Sequence, residues 1–75
     1  MSIILSANAI LLELRGRRAR VPCALDVDDL VVFLDDVTHF EAPHSDEEIT
    51  LEDLQAIVAM IEKECEKREI DLEFD

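Results

Sequence analysis

A single glycine, Gly16, stands in this chain of 75 residues, and it separates two short runs that each alternate apolar and polar side chains. Two-residue hairpin turns need residues that reach positive φ, so Arg15 and Gly16 are where such a turn can close. Closing it there sets Ile10 opposite Val21 and Leu12 opposite Ala19 on one face, with Glu13 opposite Arg18 on the other. Apolar pairs fall together and opposite charges fall together, which is the pattern a correct register produces. Pro22 cannot donate to a ladder, so the second strand is expected to end there or to lie on an edge.

The rest of the chain supplies partners for this hairpin. Ile3, Ile4 and Leu5 predict a short strand before it. Leu30 to Leu34 is apolar at every residue, so an interior strand with both faces covered is expected there. Thr38 to Ser45, with Pro43, reads as a loop. Leu51, Leu54, Ile57, Val58, Ile61 and Cys65 then fall at helical spacing and form one apolar stripe. Thr50 with Asp53 supplies an N-cap and an acidic first turn, and Ser45 with Glu48 offers an earlier one. Lys63, Lys67 and Arg68 come last, the order that a helix macrodipole favours. Ile70, Leu72 and Phe74 alternate with Asp71, Glu73 and Asp75, a terminal strand with one wet, acidic face. The expected class is α+β: a mainly antiparallel sheet of about four to five strands, one helix of about 18 residues packed on one face, then a C-terminal strand. A chain this short predicts one domain over residues 1–75.

Charge divides the chain in two. Residues 1–25 hold Arg15, Arg17, Arg18 and Arg20 against Glu13, a net +3, whereas residues 26–75 hold eighteen acids against Lys63, Lys67 and Arg68, a net −15. Such a field repels nucleic acid and draws in basic partners at salt-sensitive rates. With 49% hydrophobic residues the chain is too apolar for a disordered acidic tail. No run reaches the ~18 apolar residues of a membrane span, and Ser2 to Leu14 lacks the basic lead of a signal peptide, so a cytoplasmic protein is expected. Cys23 and Cys65 read as reduced core residues.

Catalytic chemistry has little to stand on. Cys23 has no neighbouring His or Gly-rich turn. His39 and His44, with Glu41 and Asp46, lack the spacing of a closed zinc site. No Gly-rich loop is present to cradle phosphate. Nothing singles out two of the nineteen acids as an acid–base pair. The expectation is a protein with no enzymatic activity, cofactor or metal. Two surfaces remain. One is the acidic run from Asp35 and Asp36 through Glu41, Asp46, Glu47 and Glu48 to Glu52 and Asp53. The other is the arginine hairpin, read as a charged edge and tip that discourages strand-to-strand aggregation.

The order of segments carries a resemblance. The hairpin Ile10–Leu14, Arg15-Gly16-Arg17, Arg18–Val21 is followed by Leu30-Val31-Val32-Phe33-Leu34. A passage with Phe40, Pro43, Ile49, Thr50, Glu52 and Asp53 comes next, and the chain closes on Ile70-Asp71-Leu72-Glu73-Phe74. Together these resemble the immunity protein 74 family, found beside polymorphic and contact-dependent growth inhibition toxins of bacteria, and the likeness covers nearly the whole chain. It implies a protein that binds the cognate toxin C-terminal domain, often a nuclease, and protects the producing cell. A basic nuclease groove calls for carboxylates in place of phosphates, which makes Asp35, Asp36, Glu41, Asp46, Glu47 and Glu48 the expected partner-binding residues. The alternative is a small structural or regulatory subunit that forms a homodimer through a strand edge or the outer sheet face, where Leu11 sits with Glu13 and Arg20.

Overall fold

A computed structural model describes residues 2–75 as five strands and one helix: β1 (Ile3–Leu5), β2 (Ala9–Leu14), β3 (Arg17–Leu25), β4 (Asp29–Val32), α1 (Leu51–Arg68) and β5 (Asp71–Phe74). The strands lie side by side in chain order in one sheet. All neighbours are antiparallel except β4 and β5, which run parallel and are joined by a crossover through α1. This is the α+β arrangement expected.

The hairpin forms as its alternation dictates. Ile10 faces Val21, Leu12 faces Ala19 and Glu13 faces Arg18. Arg15 at φ 52° and Gly16 at φ 80° both take the left-handed conformation, as a type I′ turn requires. The inward side chains of β2, β3 and β4, together with Ile57, Ile61 and Cys65 of α1, make the core. Both cysteines are free and buried there.

Three expectations need correction. β3 does not end at Pro22 but runs on to Leu25 as the middle strand of five. The Phe33 N–H donates to the Pro22 carbonyl at 3.0 Å, so the N–H that proline lacks would point toward β4, where that ladder is ending. The residue costs one terminal rung and nothing inside the sheet. β4 is covered on one face only. Leu30 and Val32 are buried, whereas Val31 and Phe33 are half-buried, because α1 packs on the opposite side. Leu51 leaves the apolar stripe and is 71% exposed. The stripe centres on Ile57 and Ile61, and at about 100° per residue Leu51 lies roughly a quarter-turn away.

The helix starts where Thr50 and Asp53 form a full capping box. The Asp53 N–H donates to Thr50 Oγ1 at 3.1 Å, and the Thr50 N–H donates to Asp53 Oδ2 at 3.2 Å. The earlier cap at Ser45 goes unused, since Glu47 to Ile49 bond backbone-to-backbone with Thr38 to Phe40 instead. At the far end Glu69 turns left-handed at φ 57°, and the Ile70 N–H closes on the Cys65 carbonyl at 2.9 Å. That reversal delivers the chain into β5.

Asp53 is only 4% exposed, and the Arg15 guanidinium reaches its other oxygen, Oδ1, at 2.9 Å. The Thr50 N–H, chiefly, holds this carboxyl below the usual Asp range. Burial opposes that shift, and the Thr50 hydroxyl, Arg15 and Arg17 add to it. A carboxylate with a lowered folded-state pKa contributes stability above its unfolded value and loses it as pH falls through the folded one. Asp53→Ala should therefore destabilise the fold by about 1–2 kcal/mol at neutral pH. In urea melts, the gap to wild type should hold above about pH 5 and close as pH drops below the ordinary Asp value of about 3.9.

Candidate functional site

The segment between β4 and α1 is built as a braced loop. Val37 and Phe40 turn inward, and Phe40 is the largest fully buried side chain of the protein, at 1% exposure. The Phe40 N–H donates to the Glu47 carbonyl at 3.2 Å, and the Ile49 N–H to the Thr38 carbonyl at 2.8 Å, which ties the two ends of the loop together. The Glu41 N–H donates to the Arg18 carbonyl at 2.8 Å, and this fastens the loop to the flank of β3. Tighter turns inside it follow from the bonds of His44 N–H to Glu41 and Glu47 N–H to His44, at 2.9 and 3.0 Å.

Arg17 locks the loop from the hairpin side. Its guanidinium lies 4.6 Å from the centroid of the Phe40 ring, and its Nη1 meets Glu47 Oε1 at 2.8 Å. One cation thus covers the aromatic anchor and neutralises an acid at once. The arginine hairpin is flanked by β1 along β2, whereas β4 pairs only with Cys23–Leu25, so the part of β3 that carries Arg17, Arg18 and Arg20 has no strand on that side. Arg15 reaches the helix start and Arg17 the loop. Arg18 and Arg20 stay exposed.

Of the six acids expected to meet a partner, five are exposed: Asp35 and Asp36 in the turn after β4, then Glu41, Asp46 and Glu48 along the loop. Glu47 differs, being half-buried and bound to Arg17. Asp36 and Glu41 share an open groove with Arg20, Thr38 and His39. Asp53, placed in the same acidic run by sequence, is withdrawn into the capping box. Neither the Arg15–Asp53 nor the Arg17–Glu47 pair had a signal in the sequence, since the partners lie 38 and 30 residues apart.

Both cysteines lie in the core. Burial pushes the Cys23 and Cys65 thiols up from their ordinary pKa, away from the thiolate a nucleophile needs. Among the described residues no three His, Cys, Asp or Glu side chains converge as a metal set. His39 is exposed, with its Nδ1 3.1 Å from Thr38 Oγ1. No helix of the described residues is long and apolar enough to cross a membrane.

Replacing Arg17 tests the brace. Arg17→Ala should lower stability by about 1 kcal/mol, because it removes a partly exposed ion pair and a cation–π interaction together. The amide hydrogens of Glu41, His44 and Glu47 should exchange faster in the variant. Arg17→Lys should recover only part of the stability, because an ammonium cannot stack and fork as a guanidinium does.

No curated protein and no solved structure matches this chain. A family model does: that of immunity protein 74, over residues 2–75. A match along essentially the whole length, on a chain that folds as an α+β sheet with a braced acidic loop, places this protein in the immunity protein 74 family.

Proposed function

We propose that this chain neutralises its cognate toxin, a nuclease domain with a basic groove, by stoichiometric binding in the cytoplasm through the acidic loop. The membership of an immunity family implies toxin neutralisation in general. What supports the finer reading is the loop itself. Asp35, Asp36, Glu41, Asp46 and Glu48 are exposed and form no ion pair among the described residues, while Glu47 and Asp53 are engaged in bracing. A net charge of −12 adds long-range attraction for a basic partner. Carboxylates held in place of phosphates would occupy a nucleic-acid groove without being cleaved. Fast association matters here, because a toxin that turns over does damage until it is caught.

The test is co-expression with the gene product encoded immediately upstream. A 1:1 complex that abolishes that product's toxicity and weakens with salt is the expected result. Asp46→Lys combined with Glu48→Lys should slow association about tenfold at low salt and flatten its salt dependence. Unchanged association kinetics would remove the loop from the interface. An upstream product that neither binds nor kills would remove the toxin reading altogether.

A further inference from the structure

We infer that the toxin also seats an apolar side chain in a groove on the outer face of the sheet beside the acidic loop. This rests on the toxin-binding reading above. Ile4 of β1 and Leu11 of β2 are opposed residues in the sheet, 60% and 45% exposed, on the face that α1 does not cover. They form the floor of a groove rimmed by Glu13, Arg18, Glu41 and Ala42. Unlike Val27 and Leu51, which are exposed singly, these two aliphatic side chains adjoin each other in a concave site, where an apolar group could displace water from both.

Position and charge select the occupant. Glu41 borders this groove and also the one lined by Asp36 and His39, so the apolar floor runs directly into the acidic loop. The rim itself is mixed, with Arg18 opposite Glu13, so the choice falls to the net charge: a second copy of the chain would bring another −12 against this one, whereas a basic partner is attracted to it. The division of labour is the usual one at protein interfaces: an apolar centre that excludes water, with charged groups around it. Rim charges act on the rate of encounter. A desolvated apolar anchor acts on how long the complex lasts.

The experiment measures binding of the full chain to the upstream-encoded toxin domain, inactivated at its catalytic site, for wild type, Leu11→Ser and Ala42→Phe. Leu11 lies half in water, so its replacement should leave the fold intact. Ala42→Phe fills the groove from the loop side without replacing a residue of the sheet or changing the charge. Each should weaken the complex by about 30-fold, mostly through faster dissociation, at low and high salt alike. Wild-type affinity in both variants would overturn the anchor and leave the toxin reading standing. Failure of the wild-type chain to bind would remove both. A free chain that sediments as a dimer, made monomeric by Leu11→Ser with toxin affinity unchanged, would assign the groove to a second copy and overturn the inference as well.

Discussion

Two arginines beside one turn hold the acidic part of this molecule to the sheet. Arg15 reaches Asp53 at the start of α1, and Arg17 reaches Glu47 and the face of Phe40 in the loop. Both depend on Gly16, because only a tight type I′ turn brings the two side chains to the same end of the hairpin. Arg15 itself adopts positive φ, which costs a non-glycine residue about 1 kcal/mol, and its bond to a buried carboxylate offsets that cost. A chain of net charge −12 works against compaction by self-repulsion. Placing its few cations where two elements meet relieves the repulsion at the points where acids must come closest.

The hairpin was legible in the sequence down to its register, because an alternating pattern with a single glycine admits one solution. The helix was equally plain, with Thr50 as its cap and an apolar stripe along its length. What escaped were features set by distant partners. Pro22 reads as a strand breaker until one knows that β4 stops pairing beside it. Leu51 fits a helical spacing, but the stripe is centred by the packing of Ile57 and Ile61 on the sheet, and that centre leaves Leu51 outside it.

The candidate site shows the same boundary. That acids crowd into residues 35–48 is plain from composition, and so is a loop around Pro43. Which acids are free and which are consumed was not, since Glu47 and Glu48 are neighbours with identical side chains. Only the fold distinguishes them, by laying Glu47 toward Arg17 and leaving Glu48 in water. Asp53 is a still clearer case: one acid of a run by sequence, and a buried cap by structure. The apolar groove was half visible, because Leu11 shares a face with Glu13 and Arg20. Its pairing with Ile4 and its border with Glu41 needed β1 and the loop in place.

Bracing the loop has a consequence for binding. A flexible acidic segment would attract a basic surface just as strongly from afar, since long-range attraction depends on charge and not on order. It would then lose freedom on contact, and each immobilised side chain would subtract about 0.5–1.5 kcal/mol from the affinity. Here the ordering is done within the free protein by Phe40, Arg17 and the backbone bonds of residues 38–49, so the cost falls on folding instead. A core this small has a thin margin of stability. Committing part of it to holding a polar loop, with the largest fully buried side chain of the molecule as the anchor, makes physical sense if the loop's shape, as well as its charge, is what a partner meets. Charge by itself would favour any basic surface in the cell. A fixed arrangement of carboxylates beside a shaped apolar groove would discriminate among them, because a wrong partner would leave charges unpaired or the groove unfilled.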